Sequence, residues 1–164
     1  MPDAAKGAET PINASNGAAA IEAPTLAGAA NLSGKALIDV SNPLDHAKFF
    51  PPGLLPAYNN RTSLGEQIQA AFPDAQIVKA FNTMTAALTV NPAFVPGPQD
   101  LFIAGNSADA KATVTKLAQS FGWTEIVDLG GIIGARRMDG ILPLFLSVMM
   151  LTGKPLHNLH LQRA

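Results

Sequence analysis

The chain has 164 residues, 48% of them apolar and only 14% charged, with a formal net charge of -1 and no cysteine. That length suits one domain able to bury roughly 70% of its unfolded surface. A near-neutral balance with no basic cluster beyond Arg136-Arg137 lacks the footprint of nucleic-acid binding, and the missing cysteines exclude disulfides, thiolate chemistry and cysteine-based metal sites. A cysteine-free chain also suits a cytoplasmic enzyme. The most apolar run, Ile141 to Leu151, holds Pro143 and is too short for the roughly 20 residues that cross a bilayer, so no membrane segment is expected.

Residues 1–20 are rich in Ala, Gly, Asn and Pro without a period of two or of 3.6. They are expected to be loosely ordered and to precede a domain over residues 21–164. Ile21 to Leu32, interrupted by Pro24 and Gly28, predicts a short helix starting at Pro24 or Thr25. Ala36 to Val40 is nearly continuously apolar, the pattern of a strand covered on both faces. Asp39 within it is expected to be buried and hydrogen-bonded rather than a base. The proline-rich loop Asn42 to Arg61 is expected to be irregular and packed by its doublet Phe49-Phe50.

Ser63-Leu64-Gly65-Glu66 reads as a capping box, and the stripe Leu64, Ile68, Ala71 and Phe72 predicts a helix ending before Pro73. Gln76 to Phe81 predicts a second strand, so that Lys35 to Met84 makes a strand, crossover, strand unit. Thr85 to Val90 then reads as a short helix closed by Asn91-Pro92. A third strand over Leu101 to Ile103 leads through Gly105-Asn106-Ser107 into a helix with the stripe Ala110, Val114, Leu117, Ala118 and Phe121. Gly122 stands at its expected C-cap. Glu125 to Leu129 predicts a fourth strand, and Ile132 to Leu151 a last helix bent or broken at Pro143. The tail, with Leu156, Leu159 and Leu161, adds a strand or packs down. Alternating strands and helices argue for a mostly parallel sheet with flanking helices.

In a wholly parallel sheet, Ser41-Asn42-Pro43, Asn82-Thr83, Gly105-Asn106-Ser107 and Leu129-Gly130-Gly131 would all end at one crevice, where ligands of open α/β sheets sit. Asn42 and Asn82, on the central strands, are the favoured functional positions. The chain contains no G-x-G-x-x-G, and Gly130, Gly131 and Gly134 have the wrong spacing for a pyrophosphate cradle, so they read as a tight turn. Arg136-Arg137 suit a phosphate less well than a solvated helix flank. His157 and His160 read as polar tail residues rather than metal ligands. No serine with a partnered histidine and no carboxylate pair is legible, so no catalytic residue and no metal site is assigned. A site without acid, base or nucleophile is compatible with hydride transfer between cofactors, where the protein only positions the reactants.

The series Gly34 to Leu44, Ser63 to Glu66, Val78 to Met84 and Leu101 to Asn106, continued by Ile141-Leu142-Pro143-Leu144, resembles the NADP(H)-dependent oxidoreductases related to coenzyme F420-dependent NADP reductases. It is also similar to the reductase domain of the STEAP metalloreductases. The resemblance implies a Rossmann-like fold with NADP(H) as cofactor and a flavin or deazaflavin (F420) as acceptor. It also implies that Ser41, Asn42, Pro43, Ala80, Phe81, Asn82 and Thr83 line the nicotinamide end. The departure from the family is equally plain: its opening strand and G-x-G-x-x-G turn are missing, with the first βαβ units. An N-terminally truncated or mis-started reading frame is therefore expected, with weak NADPH binding. The edge of the Ala36 to Val40 strand is expected to lie bare unless the N-terminal residues or another chain fill it, which favours a homo-oligomer. The competing expectation is a non-catalytic oligomerising module or an inactive fragment.

Overall fold

The computed structural model describes residues 2–47, 50–58 and 60–162. Along them run α1 (Pro2–Gly7), β1 (Ile12–Asn13), α2 (Glu22–Ala27), α3 (Ala29–Leu32) and β2 (Ala36–Asp39). The short pair β3 (Leu44–Asp45) and β4 (Gly53–Leu54) follows, then α4 (Leu64–Ala71), β5 (Gln76–Ala80) and α5 (Ala86–Val90). The chain closes with β6 (Asp100–Gly105), α6 (Ala108–Ser120), β7 (Glu125–Asp128) and α7 (Ala135–Thr152). Five strands form one sheet in the order β1-β2-β5-β6-β7.

Three of its pairings are parallel, β1 with β2, β2 with β5, and β6 with β7. The sheet is thus the expected mostly parallel, Rossmann-like one. β5 and β6, however, run antiparallel, Val78 lying opposite Gly105 and Ala80 opposite Ile103. The link between them, the five-residue α5 and the loop around Pro92, returns the chain from the end of the sheet at which β5 stops, so no crossover is needed. This corrects the single crevice inferred from sequence. Asn42 and Asn82 end at one rim; Gly105-Asn106-Ser107 and Gly130-Gly131 end at the other.

Residues 2–20 are not loose. Pro11 and Asn13 carbonyls accept from Ile38 and Val40 amides at 3.0 and 3.1 Å, so β1 covers the outer edge of β2 for two residues. Lys35 Nζ donates to the carbonyls of Ala5 and Lys6, at 2.7 and 3.0 Å, securing the last turn of α1. Ala5 and Ala20 are buried. Small side chains leave no amphipathic stripe to read, yet they let α1 and the Gly17–Ala19 turn close on the sheet. The helix expected after Ile21 is split in two at Gly28, whose φ of +90° suits glycine.

Each strand sorts its side chains by parity. Ile38, Val78, Ala80, Leu101 and Ile103 face α6, where Val114, Ala118 and Trp123 complete one core. Leu37 and Ile77 face the other way, toward α4, with Leu64, Ile68 and Phe72. Phe102 and Ala104 meet Met138 of α7 on that same side. The capping box is formed: Ser63 Oγ accepts from the Glu66 amide at 3.2 Å and donates to its carboxylate at 2.8 Å. α7 runs through Pro143 as one eighteen-residue helix, anchored by buried Met138, Leu142 and Phe145.

The loop after β2 is held by the antiparallel contact of β3 with β4 and by the Leu55 amide on the Pro43 carbonyl at 2.9 Å. Tyr58 packs from this loop against the core around Leu37 and Leu64. Phe50 is 82% exposed, against expectation; Phe49 lies outside the described residues. The tail packs down without adding a strand: Leu159 O accepts from the Asp100 amide at 2.9 Å, and Leu159 lies against the Phe102 and Met138 cluster.

Candidate functional site

The register that pairs β2 with β5 sets Asp39 directly opposite Lys79, both on the α4 side of the sheet. Lys79 Nζ stands 2.9 Å from Asp39 Oδ2 and 3.6 Å from Asp139 Oδ1 of α7, and all three side chains are fully buried. Lys79 also donates to the Ser41 carbonyl. Asp39 Oδ1 accepts from Ser41 Oγ at 2.6 Å, the Ser41 amide at 3.2 Å and Asn13 Nδ2 at 3.4 Å. Asp39 is therefore the hydrogen-bonded core residue expected of it.

Burial pushes the Asp139 carboxyl above its ordinary range, the Lys79 ammonium pulls it back, and the Asp39 charge adds to the rise. Tyr58 is raised as well, by burial first and by the Asp139 charge second. Its hydroxyl donates to Gln67 Oε1 at 2.9 Å.

Beyond Lys79 the chain makes an unusual turn. Phe81 has φ of +60°, the left-handed region that costs an L residue on the order of 1 kcal/mol. Parity would send its ring toward α4; instead it joins Val78 and Ala80 on the α6 side and lies 6.5 Å from the Phe121 ring. Asn82 then reaches Asn42. Asn42 Nδ2 donates to the Asn82 carbonyl at 3.3 Å, and Asn82 Nδ2 donates to Asn42 Oδ1 at 3.2 Å and to Asp139 Oδ1 at 3.4 Å. Asn82 is 2% exposed, yet among the described residues its Oδ1 has no hydrogen-bond partner, and neither has the Thr83 hydroxyl.

The two asparagines border a cavity of about 320 Å³ whose walls include Ile12, Val40, Phe81, Met84, Leu117 and Phe121. Of the seven residues that the resemblance assigned to a nicotinamide site, Asn42, Phe81 and Asn82 line this space. Ser41 belongs to the buried network beneath it, and Ala80 is core. Pro43 packs under Gly17, where a Cβ would come within 2.1 Å of the Asn42 carbonyl oxygen. Thr83 is buried at the rim. Lys79 and Asp139 were missed. A lysine between Val78 and Ala80, level with Asp39 of the preceding strand, was a usable signal; nothing in the sequence near Asp139 announces its role.

The opposite rim is structural. Asn106 Oδ1 accepts from the Ile132 amide at 2.9 Å, and a Cβ on Gly134 would meet Leu129 O at 2.7 Å, the tight turn that was expected. Arg136 is not a free flank residue: its Nε and Nη2 hold Glu66 at 2.8 and 2.6 Å, while Arg137 donates to Asn60. His157 stacks on Phe145, and His160 lies 3.6 Å from Asp100. Among the described residues no cluster of His, Cys, Asp and Glu could hold a metal, and no helix is long and apolar enough to cross a membrane.

A mixed Rossmann-like sheet with a cavity bordered by two asparagines at the ends of two parallel strands places the chain among the doubly wound α/β proteins, which take their ligands at that edge. No family model matches the chain. A solved structure from Arthrobacter sp. FB24, provisionally assigned as an F420-dependent NADP reductase, is 44% identical over 99% of this chain and 73% of its own, with a TM-score of 0.94. A hypothetical protein from Sinorhizobium meliloti, SMa0349, is 28% identical over 82% of this chain and 62% of its own, with a TM-score of 0.63. Metalloreductase STEAP3 of Rattus norvegicus and metalloreductase STEAP2 of Homo sapiens are each 34% identical over 111 residues, 67% of this chain. The chain spans about a fifth of the length of these curated relatives. It belongs to the family of NADP(H)-dependent oxidoreductases related to coenzyme F420-dependent NADP reductases.

Proposed function

We propose that the Asn42–Asn82 rim receives the nicotinamide end of NADP(H), for hydride exchange with a flavin or deazaflavin of the F420 type. The observation that carries this reading is the buried side-chain oxygen Oδ1 of Asn82, without a hydrogen-bond partner among the described residues, on a residue that borders an apolar cavity. A buried acceptor with no donor is costly, on the order of 1–3 kcal/mol, so a site that presents one suits a ligand carrying an N–H. The nicotinamide carboxamide supplies such a group, and the bound cofactor would supply the hydride. The Thr83 hydroxyl is also unpartnered among the described residues, but Thr83 does not line the cavity. Phe81, Met84 and Phe121 would pack against the ring and keep water from it.

The sequence offers nothing that fits the pyrophosphate, since no Gly-rich turn opens a helix near this rim. The chain alone is therefore expected to bind NADPH more weakly than the low micromolar range in a fluorescence titration, and to turn over slowly with F420 or FMN. Low-micromolar binding would refute the expected impairment.

A second reading is a non-catalytic assembly module. It is favoured by the apolar exposure of Leu144, Met150 and Leu151 on α7, at 56%, 42% and 88%. Size-exclusion chromatography run beside an NADPH oxidation assay separates the two. Turnover with any flavin or deazaflavin supports the oxidoreductase, and inert oligomers the module.

A further inference from the structure

Asn82 is held in one orientation by what surrounds its nitrogen. Its Nδ2 has two hydrogens and two acceptors, Asn42 Oδ1 at 3.2 Å and Asp139 Oδ1 at 3.4 Å. Turning the amide over would set Oδ1 against both of those oxygens, a repulsive arrangement around a residue only 2% exposed. With the nitrogen committed, Oδ1 is left over, and Asn82 lines the cavity. Asn42 alone would hold only one of the two hydrogens. Asp139 comes from a distant helix and is itself fixed by Lys79, which Asp39 holds from its other side.

We infer that Asp139 is a positioning residue: by taking one hydrogen of Asn82 Nδ2 it leaves Asn82 Oδ1 as the unpaired acceptor of a residue that borders the cavity, for ligands that bring a primary amide or similar N–H donor. This deepens the nicotinamide reading and rests on it for the ligand, but the orientation of Asn82 stands on the geometry alone. The Asp39–Lys79–Asp139 chain then serves recognition as well as packing, although none of its members lines the cavity.

The test uses the full chain labelled with nitrogen-15 and follows the side-chain amide protons of Asn82. In the wild type they exchange slowly with solvent compared with those of the exposed Asn16; exchange as fast as Asn16 overturns the inference. Asp139→Leu removes the acceptor and is expected to speed Asn82 exchange by about tenfold or more, whereas Asp139→Asn retains an acceptor oxygen and keeps the protection. Unchanged protection in a folded Asp139→Leu protein overturns it. Should that variant fail to fold, Asp139→Ala, which also removes the acceptor, is read the same way.

Ligand choice is read with reduced nicotinamide mononucleotide and its carboxylic-acid counterpart. Wild type and Asp139→Asn are expected to shift the Asn82 resonances with the amide ligand and not with the acid, and Asp139→Leu to lose that response. An equal response from all three proteins overturns the selecting role. If neither ligand moves the wild-type resonances, the nicotinamide reading fails, and amide exchange alone decides whether Asp139 orients Asn82.

Discussion

Lys79 and Asp39 face one another across the parallel register of β2 and β5, with Nζ and Oδ2 2.9 Å apart and neither side chain exposed. A buried ion pair gains little over a well-packed apolar pair, but losing one partner strands the other. Lys79→Met leaves Asp39 and Asp139 without their shared cation. It is expected to destabilise the fold by about 3–5 kcal/mol in urea unfolding. Lys79→Met combined with Asp39→Leu is expected to cost less than the single change, because one stranded carboxylate is then removed.

The pH dependence of stability has two opposed contributions. Arg136, and then Ser63, hold Glu66 below its ordinary value of 4.5 against the effect of burial. A carboxyl depressed in the folded state stabilises it above the unfolded value, and that stability is lost as pH falls through the folded value. Asp139 is raised above 3.8, so its ionisation weakens the fold as pH climbs from there through its folded value. Glu66→Gln is therefore expected to lose less stability than wild type on acidification below about pH 4.5, while Asp139→Asn is expected to show a flatter profile above about pH 3.8. Chemical unfolding across pH 3 to 8 checks both signs.

Gly17 lies so close to the rim that a methyl group there would overlap the Asn42 carbonyl oxygen, at 2.1 Å. Gly17→Ala must displace backbone rather than a flexible side chain, and is expected to cost about 1–3 kcal/mol and to disturb the Asn42–Asn82 contact. Gly140→Ala, inside α7 with nothing within 4 Å of the added carbon, is the control and is expected to gain up to about 1 kcal/mol. Thermal melts of the two variants give the comparison, and equal shifts would refute it.

What was legible in the sequence followed local physics. The apolar runs at Ile38 and Val78, the Ser63 capping box and the stripe through Val114 each carry their own period, and each formed as read. The direction of β6 carries no period at all. Ile103 alternates identically whichever way its strand runs, and only the short return through α5 decides. Order in residues 2–20 was hidden for a different reason: Ala5 and Ala20 are buried by contacts too small to leave a hydrophobic stripe. The meeting of Asn42 with Asn82 was foreseeable from two parallel strand ends. The arrival of Asp139 beneath them was not, since it depends on where α7 docks, 57 residues beyond Asn82.

The left-handed backbone at Phe81 has a consequence for how this region tolerates change. Because the chain flips there, two consecutive residues serve different neighbourhoods, Phe81 joining an apolar wall and Asn82 a buried junction with Asn42 and Asp139. Deleting or inserting a single codon between Lys79 and Thr83 would exchange those destinations, driving an aromatic ring into the charged cluster and an amide into hydrocarbon. A substitution along this segment alters one neighbourhood, whereas a change of length alters both.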